Sequence, residues 1–211
     1  MNFAKTKTAY AFKEQKGFSL IELLTAMVIM SVVSLAIYSV FAVTSRTYTT
    51  QGVTADVQQS VRAAMEVMLQ DIRTAGLDPT SSGNFGIELA EALKLRFTSD
   101  SIDAGINDFN GVLDDINSER ITYVLQGTQL DQILYETTAS VESEPLISDV
   151  QNLTFTYFDV DGNDLGSPVP ASQLADIRTI NVSITVEEPA GRSGSVSRTL
   201  IKQVKCRNMG L

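Results

Sequence analysis

The sequence predicts an α+β protein, with one long N-terminal α-helix packed on an antiparallel β-sheet domain. Three observations carry that expectation. Residues 18–43 are apolar apart from a single charge, Glu22. Residues 57–75 repeat apolar side chains at three- and four-residue steps, the period of one helix face. Beyond Pro79, short runs of β-branched and aromatic residues alternate with polar ones and are separated by Gly-, Asn- and Asp-rich turns.

The first element is a candidate membrane span. A basic head, with Lys5, Lys7, Lys13 and Lys16 against Glu14, precedes the 26 residues 18–43. About 20 apolar residues suffice to cross a bilayer as a helix. Lysines ahead of the span predict a cytoplasmic N-terminus, which puts the rest of the chain on the far side. A carboxylate this deep in an apolar run loses much solvation and generally has a functional partner. Glu22 needs a cation.

Three other readings of the stretch are less economical. A plain signal anchor explains the head and the apolar run but neither Gly17 nor Glu22. A secretory signal ending near Val40-Phe41-Ala42 would have a core far longer than the usual length of about 7–15 residues. No Cys follows the run to carry a lipid.

The helical pattern continues past the span. Val57, Val61, Ala64/Met65, Met68/Leu69, Ile72 and Ala75 form an apolar stripe, with Gln58, Gln59, Arg62, Glu66, Gln70, Asp71 and Arg73 on the remaining faces. Gly76 sits where a helix-ending residue belongs, and Pro79 opposes continuation. Thr44–Gly52 is the weak stretch, because β-branching and glycine both lower helix propensity; a bend or partial melting is expected there. The organisation is therefore 18–43 as span, 44–76 as amphipathic helix and 77–211 as a β-rich domain.

The strands follow in order. Leu93-Lys94-Leu95-Arg96-Phe97 alternates strictly. Arg120–Leu125 and Gln129–Tyr135 flank Gly127-Thr128, a hairpin signal. Leu153–Phe158 is next, then Ile180–Val186 and Ser195–Val204, which straddle a Glu187–Gly194 loop marked by Pro189, Gly191 and Gly194. The Val57–Ala75 stripe is expected to cover this sheet.

Composition narrows the function. Without residues 1–17 the chain keeps 12 of its 16 basic and 24 of its 25 acidic residues, a formal charge of −12. Such a domain is unsuited to nucleic acid, whose phosphates need clustered Lys and Arg. With no His and one Cys, most zinc sites and the Ser–His and Cys–His forms of nucleophilic catalysis are excluded. Cys206 is read as a buried small hydrophobe, an intermolecular link being the alternative. No phosphate loop is present, and the carboxylates form no recognisable acid/base pair, so an enzyme is not expected.

Two acidic loops invite a calcium hypothesis. Asp100, Asp103, Asp108, Asn110, Asp114 and Asp115 crowd one segment, and Asp159, Asp161, Asn163 and Asp164 surround Gly162. Calcium takes six to eight oxygen ligands from such loops. Neither has EF-hand spacing, and Asp/Asn/Gly tracts also make ordinary solvated turns. No other cofactor is expected.

Gly17-Phe18-Ser19-Leu20-Ile21-Glu22, preceded by Lys16 and followed by Leu23-Leu24, resembles the class III signal of type IV pilins and type II secretion pseudopilins. The resemblance implies a type IV pilin fold, with residues 1–17 as a cytoplasmic leader removed after Gly17 by a prepilin peptidase. It also implies N-methylation of the new Phe18 amine. Glu22 becomes the fifth mature residue, which in this family pairs with the N-terminal amine of a neighbouring subunit. The physics agrees: a dehydrated ammonium and carboxylate offset each other's burial only when close and aligned, so the pair sets subunit register.

Finer features are similar to the PilW family of minor pilins. They are Asp71-Ile72-Arg73-Thr74-Ala75-Gly76-Leu77-Asp78-Pro79, Glu119-Arg120-Ile121-Thr122-Tyr123 with Leu125-Gln126-Gly127, Pro145-Leu146-Ile147 with Val150 and Leu153, Tyr157 with Asp161-Gly162, and Arg207-Asn208. That resemblance implies an inner-membrane protein with a periplasmic domain that later joins the pilus. Its partners would be other minor pilins, the major pilin and membrane lipid. A J-type pseudopilin and an anchored envelope adhesin or binding domain are the alternatives.

Overall fold

The computed structural model describes residues 17–100, 109–113, 119–134, 142–191 and 194–210. The chain divides into two compact units, Met1–Thr47 and Tyr48–Leu211.

One helix, α1, spans Leu20–Thr74. It is long and apolar enough in its first part to cross a membrane. In the first unit every described residue is exposed except Ala42, which is half-buried. Thr25, Ser31 and Ser39 turn their hydroxyls onto the carbonyls of Ile21, Met27 and Leu35, at 3.0, 2.7 and 2.8 Å. That satisfies each hydroxyl within the helix, as an apolar environment requires.

α1 continues unbroken through Thr44–Gly52, so the expected melting does not occur. The Thr47 hydroxyl within it bonds back to the Val43 carbonyl at 3.0 Å, and that of Thr54 just beyond it to the Thr50 carbonyl at 2.7 Å.

In the second unit the predicted stripe is the core. Val57, Val61, Ala64, Met65, Met68 and Ile72 are buried, joined by Ala75, while Leu69 is half-buried against them. Gly76 takes φ +75°, the left-handed geometry of a helix-ending glycine, and its N–H bonds the Thr98 carbonyl at 2.9 Å. A side chain there would meet Met209 Sδ at 2.7 Å.

Among the described residues, eight strands form two antiparallel sheets where the sequence suggests one sheet domain. The first sheet has the order β1 (Ile87–Ala90), β2 (Lys94–Thr98), β3 (Arg120–Gln126), β4 (Gln129–Leu134), β5 (Glu142–Ile147). The second is β6 (Val150–Phe158), β7 (Thr179–Pro189), β8 (Ser195–Lys205), with a 3₁₀ turn at Ala171–Asp176 before β7. The β3–β4 hairpin pairs Gln126 with Gln129 across Gly127-Thr128, and Gly127 has φ +62°, the Gly-first two-residue turn that matches strand twist. β7 extends through Glu187–Pro189, which the sequence pattern places in a loop, and Pro189 pairs with Ser195 at its end. The sheets meet where Phe155 N–H and the Tyr157 hydroxyl donate to the carbonyls of Ala92 and Glu91, at 2.9 and 2.7 Å.

A polar network ties the end of α1 to the first sheet. The Asp71 carboxylate accepts from Tyr123 Oη at 2.5 Å and Gln132 Nε2 at 2.8 Å. Burial raises the Asp71 carboxyl above its ordinary value, and the two hydrogen bonds pull the other way. The Tyr123 hydroxyl is pushed far up by burial and by the facing Asp71 charge, so it remains a donor.

Candidate assembly site

Ser19 caps α1. Its Oγ accepts from Ile21 N–H at 3.3 Å, and Glu22 Oε2 reaches back to Ser19 N–H at 3.1 Å. Ser19-Leu20-Ile21-Glu22 is thus an S-x-x-E capping box, which satisfies two amides the helix start leaves open. Sequence reasoning missed this, although the pattern is legible in four residues.

The cap changes what Glu22 can do. One oxygen takes an amide hydrogen bond, which orients the side chain toward the N-terminal end of the helix but leaves its charge unneutralised. Among the described residues no cation lies within ion-pair distance of it. Gly17 and Phe18, the residues of the expected cleavage, precede the cap outside any helix or strand. Phe18 is 89 % exposed, and nothing lies within 4 Å of where a Gly17 side chain would start. The junction is open, and a carboxylate stands one helical turn from the Phe18 amide.

The acidic loops are less convergent. Asp103, Asp108, Asp114 and Asp115 lie outside the described residues. Asp100 is buried; its Oδ2 accepts from Gly111 N–H at 3.1 Å, while Oδ1 has no hydrogen-bond partner among the described residues. Asn110 is exposed and its Oδ1 accepts from Val112 N–H at 2.7 Å. In the second loop Asp159 accepts from Asp161 N–H, Asn163 N–H and Asn163 Nδ2, at 2.9, 2.8 and 2.8 Å. Asn163's side-chain bond leads the effects that hold its carboxyl below the ordinary range. That loop is a self-bonded turn. Among the described residues no three His, Cys, Asp or Glu side chains converge as a metal site.

Cys206 is buried, as the hydrophobe reading expects. Burial raises its thiol to about 12 against the opposing pull of Arg178, so it carries almost no thiolate at neutral pH.

Residues 12–38 match the family model for the prokaryotic N-terminal methylation motif. A comparison with curated proteins gives no match. The matched residues contain the basic Lys13 and Lys16, Gly17-Phe18, the capping box and most of the exposed apolar helix. The motif implies processing by a prepilin peptidase and assembly with other pilins. It points to a structural role, as a pilin or pseudopilin, in assembling a pilus or secretion system, with the helix as membrane anchor. The chain carries a type IV pilin-like class III signal.

Proposed function

We propose that the chain is a PilW-like minor pilin that primes or caps a type IV pilus. Cleavage falls after Gly17, the new Phe18 amine is methylated, and the helix waits in the inner membrane with residues 77–211 in the periplasm. Assembly with other minor pilins and the major pilin then packs apolar helices side by side, and Glu22 reads a neighbour's Phe18 amine.

The observation that carries this is Glu22, the one charge in residues 18–43, without a cation among the described residues. Glu22→Ala is expected to insert in the membrane normally and to abolish or strongly reduce piliation. Normal piliation would refute the role. Gly17→Ala should be processed better than Gly17→Leu, because the cut needs a small residue.

The PilW choice is supported by where its resembling fragments lie. Asp71 bonds Tyr123 at 2.5 Å, Ser99 N–H bonds the Glu119 carbonyl at 2.9 Å, and Asn208 Nδ2 donates to the Arg73 and Thr74 carbonyls at 3.4 Å. Two of the other resembling segments, through Tyr123 and Asn208, thus reach the end of α1. Deleting the gene should remove pili and leave type II secretion intact; the reverse result selects the J-type pseudopilin.

A calcium site at Asp100, Asp103, Asp108, Asn110, Asp114 and Asp115 is a second proposal, supported by the buried Asp100 Oδ1, which has no partner among the described residues. Calcium should raise the melting temperature and EGTA should reverse it; an unmoved transition removes the site.

A further inference from the structure

The two sheets have four edge strands, and three are blunted or covered. β1 has four residues, a bulge against β2, and a bond from Val169 N–H to the Ala90 carbonyl at 2.8 Å. β5 carries Pro145 and a bulge opposite Leu130/Asp131. On β6 the outer edge is taken by the Ala92 carbonyl and by Leu165 N–H, each at 2.9 Å. These are the usual devices against unwanted strand pairing.

Among the described residues β8 has no proline, bulge or covering segment; its remaining guard is charge, from Arg198, Lys202 and Lys205. It runs 11 residues, and its pairing with β7 is unshifted. Cys206 N–H bonds the Arg178 carbonyl and Ala190 N–H bonds that of Gly194, which sets the parity of the ladder. Residues 196, 198, 200, 202 and 204 then spend their main-chain groups on β7. The groups of Ser197, Thr199, Ile201 and Gln203 face outward, and none makes a main-chain hydrogen bond among the described residues.

A groove runs along this open edge, made of two adjoining hollows of about 210 and 560 Å3. Its apolar floor includes Met65, Leu69 and Leu200, and Thr199 and Gln203 also line it. Successive residues of β8 therefore border the space, which is where a further strand would lie. Arg62, Arg73, Arg198 and Lys202 rim the groove against a single acid, Glu66. Only 12 basic residues follow residue 17, so one third of them gather here although residues 18–211 carry a formal charge of −12. Arg62, Arg73 and Lys202 form no ion pair among the described residues, and Arg198 lies 2.7 Å from the Gln58 side-chain amide, whose oxygen accepts from it when the amide is turned over.

We propose that the β8 edge receives an extended acidic segment of a neighbouring pilin-type subunit as an added strand. Its main chain bonds Thr199, Ile201 and Gln203, alternate side chains enter the groove over Met65 and Leu69, and its carboxylates meet the basic rim. Main-chain pairing supplies affinity in such additions, and the side-chain pockets and charges supply choice of partner. That the occupant is a subunit rests on the assembly reading above; the edge and its charge do not.

The test is site-specific photocrosslinking of the full chain in its own cells, with p-benzoylphenylalanine at Gln203, at Gln151 on β6 as control, and at Leu24 in the helix. The expected product at Gln203 is a crosslink to an Asp/Glu-bearing peptide of another pilin-type subunit, not formed from Gln151. Arg62→Glu with Lys202→Glu should lower its yield by about tenfold. Ile201→Pro, which removes an outward N–H and no sheet bond, should do the same with the melting temperature kept. If Ile201→Pro unfolds the domain, the charge reversal decides. No Gln203 product, a product with a second copy of this chain or with a basic segment, or a yield indifferent to charge reversal overturns the proposal. A Leu24 crosslink to pilin subunits without one at Gln203 sinks the edge alone; silence at both sinks the assembly reading with it.

Discussion

The two stretches of α1 bury their apolar residues by different means. From residue 57 onward the stripe Val57, Val61, Ala64, Met65, Met68 and Ile72 is covered by the protein's own sheets. From Leu20 to Val43 the apolar side chains stay open, Leu20 at 79 % and Ile29 at 62 % exposed. Both obey the same rule, that apolar surface leaves water where it can. The difference is where the cover resides: inside the chain for one stretch, in lipid or neighbouring helices for the other. An apolar surface with no internal cover marks the part of the molecule that assembles.

That contrast makes separable predictions. The largest effect is Glu22→Ala, expected to remove assembly while leaving the melting temperature of the 48–211 unit unchanged, read by piliation and calorimetry together. If stability fell with piliation, the two stretches would not be independent. Met68→Ala is the converse: a cavity at a fully buried position should cost about 2–5 kcal/mol in chemical denaturation and leave membrane insertion untouched.

Next in size is the pH dependence of Asp71. Its folded carboxyl titrates above the unfolded one, so the folded state holds the extra proton between the two values. Stability at this site therefore falls as pH rises through that window and is regained on acidification. Melts of wild type and Asp71→Asn across the acid range should show wild type gaining on the variant as pH falls. Parallel curves would contradict the burial account. The smallest effect is Ser19→Ala, which removes the cap and should cost the helix start about 1 kcal/mol, seen as faster amide exchange confined to the first turn.

Much of this architecture is legible in the sequence. The apolar run, the 57–75 stripe and the alternating strands are local patterns, and each has the period its structure demands. The rest depends on partners far along the chain. Asp71 reads as one more polar helix residue; only the fold brings it to Tyr123 and Gln132, 52 and 61 residues away. β5 is hidden because Pro145 argues against a strand, and it is tolerated only because β5 is an edge. β1, at four residues, is too short to show a period. The Thr44–Gly52 weakness is real as propensity, yet the stretch lies within the continuous 55-residue helix, where elongation needs no new nucleus. At the site, Gly17, Phe18 and Glu22 stand out by motif, and the capping role of Ser19, legible as S-x-x-E but missed, is made plain by its 3.3 Å bond to Ile21 N–H.

The most direct measurement is mass spectrometry of the mature N-terminus from native membranes or sheared filaments. The account predicts a chain that begins at Phe18 and carries one N-methyl group. A chain that retains residues 1–17, or that starts near Val43, would contradict it.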